Sequence, residues 1–245
     1  MYQYYSLISL LSHFDHVILA DGDYPSHPIA LHLLTSATHL VCCDRAGMQA
    51  MEHGLHPEAI VGDGDSIPEN FRRAHAVLFH HEAEQDDNDL TKATRFILQH
   101  MESAANDHTP FHEIAPSPSS DVNMTNTRPV ICYLGATGKR EDHTLGNISL
   151  MIHYYRNFGI SPVMVTNYGW WVVGEDMARF ETFEHQQVSI LNVSCKNQLS
   201  STGLRWPTRP FTALWQGTLN DASGSDVTLH GDGLYLVFRT FERKE

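Results

Sequence analysis

The sequence predicts an α/β fold: an N-terminal doubly wound, mostly parallel sheet domain over residues 1–165, followed by a C-terminal all-β sandwich domain over 166–245. Three observations carry that expectation. Short apolar runs alternate with helically periodic segments through the first half. Polar motifs fall where those runs end, the place where open parallel sheets bind ligands. Beyond about Val165 no helical period is apparent, and brief strand-like runs are separated by Gly, Asn, Asp and Pro.

Val17-Ile18-Leu19-Ala20 reads as the first strand and stops at Asp21-Gly22. A helix is predicted from Pro28 to Ser36, then a strand over His39-Leu40-Val41-Cys42-Cys43 that ends at Asp44. Arg45 to His53 reads as a helix closed by Gly54, and Ala59-Ile60-Val61 as a third strand. Val77-Leu78-Phe79 is a fourth. The strongest helical period runs from Asn88 to Met101, with Leu90, Ala93, Phe96, Ile97 and Met101 on one stripe. Val130-Ile131-Cys132-Tyr133-Leu134 is a fifth strand, followed by a helix over His143 to Tyr155 striped by Leu145, Ile148 and Ile152. Residues 103–129 are rich in Ser, Asn, Pro, Thr and Asp and read as a long surface loop or flexible insertion. In the second half, strands are predicted at Trp170-Trp171-Val172-Val173, Arg179 to Phe183, Val188 to Val193, Asp226 to Leu229 and Leu234 to Phe238.

The bulk properties narrow the function. A chain of 245 residues, 42% hydrophobic, can bury one large core or two modest ones. A formal net charge of −13 argues against nucleic acid as a partner, since phosphates need a basic face. It also means that a phosphate-bearing ligand would need a metal ion between the two sets of negative charge. Cys42, Cys43 and Cys132 fall in apolar runs and no C-x-x-C pair occurs, which suits a reducing compartment better than a disulfide framework. Seventeen histidines are scattered without metal-ligand spacing. The apolar stretch Met1 to Leu11 lacks a basic start and a cleavage pattern, and no run is long enough to span a bilayer, so a cytoplasmic protein is expected.

Gly62-Asp63-Gly64-Asp65-Ser66 follows a strand directly. Two carboxylates two residues apart on a flexible turn can aim at one point and offer the oxygen ligands that Mg²⁺ prefers, although an ordinary Asp/Gly turn has the same composition. Gln85-Asp86-Asp87-Asn88-Asp89 heads the strong helix. Capping and the helix dipole account for one or two of its aspartates, but three in five residues repel unless a cation or solvent screens them. If the helix begins there, Asp86 and Asp89 share a face, with Lys92 one turn on. Gly135-Ala136-Thr137-Gly138-Lys139-Arg140-Glu141-Asp142-His143 joins a strand to a helix start, where exposed amides and two cations can cradle phosphate. Its glycine spacing is not that of a Walker A loop, and Asp142 also reads as the helix N-cap. Asp21-Gly22-Asp23 and Asp44-Arg45-Ala46-Gly47 add two further polar strand ends.

Taken in order, these segments resemble the thiamine pyrophosphokinase family. That family shows a D-G-G-A-like turn, G-D-x-D-S, a D-x-x-D heading a helix toward Lys-Ala, and G-x-x-G-x-R-x-D-H-x-L-x-N. Here the matching residues are Asp44 to Gly47, Gly62 to Ser66, Asp86 to Ala93 and Gly135 to Asn147, with Gly203-Leu204-Arg205-Trp206-Pro207 similar to a G-L-x-[WY] segment. Arg45 and Ala46 stand where paired glycines are usual, and Leu219-Asn220 stands where a Ser-Asn pair is usual.

The resemblance implies an ATP:thiamine diphosphotransferase that uses Mg²⁺ and works as a homodimer with sites near the subunit interface. It implies that Asp63, Asp65, Asp86 and Asp89 hold Mg²⁺ and that Lys92 and Arg140 offset charge on the transferring group. ATP would lie against Gly22, Asp44, Ser66, Gly135, Thr137, Gly138, Asp142, His143 and Asn147, and thiamine against Trp206 and Asn220 of the β domain, which also serves dimerisation. The same carboxylates would serve another Mg²⁺-dependent phosphotransferase or a phosphohydrolase. A nucleotide- or thiamine-sensing module is the non-catalytic alternative.

Overall fold

In the computed structural model, which describes residues 3–84, 86–106, 128–193 and 198–243, the apolar runs of the first half form a parallel ladder. The elements are β1 (Gln3–Tyr5), β2 (His16–Leu19), α1 (Pro28–Thr35), β3 (His39–Cys43), α2 (Ala46–Glu52), β4 (Ala59–Gly62), α3 (Glu69–Ala74) and β5 (Phe79–His81). They continue as α4 (Asp89–Asn106), β6 (Val130–Leu134), α5 (Glu141–His153) and β7 (Ser161–Val165). Alternate strand residues serve opposite faces. Val17, Leu19, Cys42, Ile60, Cys132 and Leu134 pack with Leu33 and Leu34 of α1 and Ala46 and Ala50 of α2. Ile18, Val41, Val61, Ile131 and Tyr133 pack with Leu90, Ala93 and Ile97 of α4 and Met151 of α5. Both faces are therefore covered, as a doubly wound sheet requires.

The strands run in the spatial order β7-β6-β2-β3-β4-β5, all parallel. The chain steps from β2 outward to β5 and then returns to the other side of β2. The carboxyl ends of β2 and β6 thus flank the crevice where the winding reverses.

The second half supplies β8 (Gly169–Glu181), β9 (Gln186–Leu191), β10 (Ser200–Thr202), β11 (Asn220–Asp221) and β12 (Asp226–Arg243). Two pairs of predicted short strands are each one long strand, β8 and β12, paired antiparallel along nearly their whole length. The interruption in each is a bend: Asp176 takes a φ of 49°, and the β12 register shifts between His230 and Leu234. On one side of the bend the β8–β12 pair is flanked by β7 and β9, and on the other by β1 and β10. The β strands also join the parallel ladder through β7–β8, so the hydrogen bonding continues across residue 165. The expected α/β class is present, and where a separate β sandwich was expected the second-half strands continue the first-half ladder as one large mixed sheet.

Other expectations shift. The fourth strand is Phe79–His81, α3 was not foreseen, and α4 runs on to Asn106, taking the first residues of the expected loop. Residues 107–127 of that loop, and Cys195, lie outside the described residues. Of the predicted stripe, Ile148 and Ile152 pack against the core beside the fully buried Met151, whereas Leu145 is 67% exposed. Cys42, Cys43 and Cys132 are buried free thiols, as expected of small hydrophobes in strands.

Arg239 of β12 is enclosed, 1% exposed, and its guanidinium donates to the carbonyls of Tyr5, Ser6 and Glu181 at 3.2, 3.1 and 2.6 Å. It lies 4.8 Å from the Trp170 ring centroid. A buried cation that satisfies three carbonyls fastens β1 to the β8–β12 pair. Arg239→Ala leaves those carbonyls unpaired and is expected to cost about 3 kcal/mol or more, read as a lower urea midpoint.

Candidate active site

The loops leaving β2 and β6 are bonded together. Ala20 N–H donates to Leu134 O at 2.8 Å, Gly22 N–H to Gly135 O at 2.7 Å and Asp23 N–H to Thr137 O at 2.8 Å. A Cβ on Gly22 would fall inside van der Waals contact of the Gly135 and Thr137 carbonyls, so only glycine permits this approach. The two loops form one wall of a cavity of about 630 Å³ over the sheet edge.

Across that cavity, β3 and β4 deliver carboxylates. Asp44 ends β3 with a φ of 45° and is 6% exposed. Its Oδ1 accepts the Gly64 N–H at 3.0 Å and its Oδ2 accepts the Ser66 hydroxyl at 2.6 Å. A Cβ on Gly62 would lie 2.6 Å from Asp44 Oδ1, so the bare backbone there makes room for the carboxylate. Asp63 Oδ1 accepts the Asp65 N–H at 3.1 Å. One oxygen from each of Asp44, Asp63 and Asp65 lies within 4.8 Å of the others. Three carboxylate oxygens gathered this closely suit a hard divalent cation.

The third wall is the start of α4. Asn88 caps it, its Oδ1 accepting the Thr91 N–H at 3.0 Å and the Thr91 hydroxyl at 2.9 Å. The helix therefore begins at Asp89, and Asp86 lies on the bend before it instead of sharing a helical face with Asp89. Asp89 pairs with Lys92 Nζ at 3.4 Å, and the Lys92 side chain is 3% exposed. Asp87 is taken by Arg95, which also meets Glu84 at 3.2 Å and Glu82 at 3.7 Å. Part of the repulsion in the aspartate run is thus answered by one arginine.

On the β6–α5 loop, Lys139 Nζ donates to Asp21 O at 2.7 Å and Asp21 Oδ1 at 2.9 Å. Arg140 is the N-cap of α5 with an extended backbone, and its exposed side chain forks onto Asp142 at 3.0 and 2.6 Å. Asp142 therefore occupies the first helical turn and is not the cap. Asn147 donates to Ala136 O at 2.8 Å and accepts from Asn88 at 3.1 Å, linking the starts of α4 and α5 to the β6 loop.

Of the residues singled out from the sequence, Gly22, Asp44, Asp63, Asp65, Ser66, Asp86, Asp89, Lys92, Gly135, Gly138, Arg140, His143 and Asn147 line this cavity together. Thr137 lines a smaller neighbouring cavity, and Asp142 an adjoining groove beside His143. Trp206 and Asn220 lie apart, lining a cavity of about 330 Å³ in the β region. Asn220 grips the Trp206 backbone from both sides, at 3.2 and 2.7 Å, and leaves the ring 53% exposed. Asp21 and Asn88 also line the main cavity; their position at a strand end and a helix start was the available signal.

Burial raises the Asp44 carboxyl above its usual range, against the Ser66 and Gly64 hydrogen bonds that lower it, with Asp63 and Asp65 adding repulsion. Burial likewise raises Asp89, followed by the charge of Asp44. The ionised forms therefore cost stability in the metal-free protein. These two groups' contribution is favourable at low pH and is lost as pH rises through their raised values. A divalent cation reverses that cost. Saturating Mg²⁺ should thus raise the melting temperature at pH 7, by about 2.7 kcal/mol of stability at a hundredfold excess over Kd. Asp63→Asn keeps the Oδ1 acceptor and removes one charge. It should lose most of the Mg²⁺-induced rise in melting temperature seen in wild type.

The family model "Thiamin pyrophosphokinase, catalytic domain" matches residues 30–161, more than half of the chain, and "Thiamin pyrophosphokinase, substrate-binding domain" matches 169–238. No curated protein is significantly similar in sequence. Among solved structures, thiamin pyrophosphokinase from Candida albicans aligns with a TM-score of 0.76 at 17% identity, covering 98% of this chain and 93% of that one. The yeast enzyme aligns at 0.73 and 16%, covering 97% and 91%. That from Bacillus subtilis aligns at 0.67 and 20%, covering 92% and 98%. At such identities these likenesses speak for the fold, and the family models for the lineage: the chain belongs to the thiamin pyrophosphokinase family.

Proposed function

We propose that the acidic cavity is where the chain transfers the pyrophosphoryl group of ATP to the hydroxyl of thiamine, giving thiamine diphosphate and AMP. Family membership makes the chain a diphosphotransferase. The observation that supports this location is the close approach of Asp44, Asp63 and Asp65 opposite the buried Lys92, in one cavity at the sheet's reversal point.

The oxygen-only donor set fits Mg²⁺, with Asp86 and Asp89 on the same cavity wall as further oxygen donors. Bound there, Mg²⁺ would neutralise polyphosphate oxygens that an acidic protein otherwise repels. Lys92, enclosed and fixed by Asp89, presents a cation whose attraction for a phosphoryl group is strengthened by the loss of solvent. Arg140 and Lys139, more exposed at the rim, can leave their present carboxylate partners for phosphate. Asp89, half-buried and with a raised pKa, is placed to accept the hydroxyl proton as the oxygen attacks the β-phosphorus in line. Positioning and electrostatics carry most of the work.

The division near residue 165 assigns phosphate chemistry to the first half and thiamine binding to the second, supported by family models that end at 161 and resume at 169. Trp206 offers an exposed aromatic face to thiamine's cationic ring. Exposed Leu214, Trp215 and Leu219 support burial of this region in a homodimer. The free buried thiols support a reducing, cytoplasmic setting. Among the described residues no helix is long and apolar enough to cross a membrane.

Incubation with ATP, Mg²⁺ and thiamine should yield AMP and thiamine diphosphate in equal amounts. Formation of ADP, or phosphate release with thiamine unchanged, would overturn the reading. Lys92→Ala is expected to lower kcat about a hundredfold or more, measured under saturating substrates.

A further inference from the structure

Lys139 holds a backbone conformation that its residue type rarely adopts. Its φ is 55° and that of Gly138 before it is 83°, so two left-handed residues follow one another in the β6–α5 loop. Glycine takes that region freely, whereas the Cβ of a lysine makes it costly. The side chain accounts for the lysine's presence there. It reaches from the β6 loop to the end of β2, where Nζ donates to the Asp21 carbonyl at 2.7 Å and to Asp21 Oδ1 at 2.9 Å. Arg140 beside it makes a local fork onto Asp142, two residues along the chain. The Lys139 contact instead spans 118 residues and joins two loops that line the acidic cavity.

Asp21 Oδ1 has a second donor. Gln49 of α2 reaches it with Nε2 at 3.2 Å. The end of α2 is itself fixed against the β2 loop. His53 stacks on Tyr24 with ring centroids 4.2 Å apart, and its Nδ1 lies 2.8 Å from Gln49 O. Lys139 and Gln49 therefore share one carboxylate oxygen, and each donor weakens the hold of the other. If Lys139 leaves, the Gln49 bond strengthens and offsets part of the lost pairing. Lys92 is enclosed, but Lys139 is about half exposed, and a compact ammonium on a flexible stem can change partners. We propose that Lys139 is a polyphosphate-binding cation held in reserve by Asp21, and that Gln49 is a positioning residue that eases its release. Asp21 keeps the ammonium at the cavity wall until a metal-bound polyphosphate draws it off, and Gln49 then holds Asp21 in place.

This inference rests on the acidic cavity being the polyphosphate site, and the experiment keeps the two apart. Lys139→Met and Gln49→Met preserve side-chain bulk and remove the donors, and thermal melting checks that both variants fold. Inorganic tripolyphosphate with Mg²⁺ is titrated into the wild type, each variant and the double variant, and the KM for ATP is measured alongside. Lys139→Met should weaken tripolyphosphate about tenfold, the loss of one charge-assisted hydrogen bond. Gln49→Met should weaken it about threefold and raise the KM while kcat is unchanged. In the Lys139→Met background the same Gln49 substitution should have no effect, because its influence runs through the lysine. Equal weakening by Gln49→Met in both backgrounds would make Gln49 a merely structural contact and overturn the assignment. So would a tripolyphosphate affinity and a KM that ignore Lys139→Met. If ATP and thiamine give no AMP while tripolyphosphate shows the expected coupling, the proposed reaction falls and the role of these residues stands. AMP formation with tripolyphosphate indifferent to Lys139→Met would do the converse.

Discussion

Carboxylates gathered at one sheet edge repel one another, and much of the site is built to contain that repulsion. Asp44 is held by the Gly64 N–H and the Ser66 hydroxyl, so the end of β3 is tied to the turn after β4. Asp89 is matched by Lys92, Asp87 by Arg95 and Asp21 by Lys139. Asp44, Asp63 and Asp65 bring an oxygen each within 4.8 Å of the others, an arrangement that suits a hard cation. The local negative charge that burial makes costly for Asp44 and Asp89 is the charge on which the proposed binding of a metal-bound polyphosphate depends.

That arrangement depends on the reversal of the sheet between β2 and β6. The same reversal opens a crevice and supplies two facing loops, whose backbones bond so closely that Gly22 admits no side chain. The bonded loops then act as a partition, with acids and cations on one side and an aromatic, weakly polar recess on the other. Asn88 and Asn147 connect this partition to the starts of α4 and α5, so the helix that carries Asp89 and Lys92 is set relative to the strand ends by hydrogen bonds as well as by its apolar stripe.

Much of this was legible in the chain because the signals are local. Alternating apolar runs marked the parallel strands, the Leu90–Ala93–Ile97 stripe marked α4, and Gly62 to Ser66 marked a turn able to converge two carboxylates. The long bent strands β8 and β12 were harder to see, because polar residues at each bend break the alternation that identifies a strand. Asp142 looked like a cap because an acid at a helix start commonly is one. The backbone instead places Arg140 at that position, leaving Asp142 to pair with it.

By itself, then, the sequence determined the fold class, the strand-end position of the acids and, through ordered motifs, the family expectation, since each depends on neighbours within a few residues. Tertiary structure alone decided which acids meet. Asp44 joins Asp63 and Asp65 because parallel pairing of β3 with β4 brings their ends side by side, a contact across about twenty residues of chain that no local pattern encodes. It also decided that Asp86 and Asp89 reach the cavity from the start of α4, with Asp86 on the bend before the helix because the cap falls at Asn88.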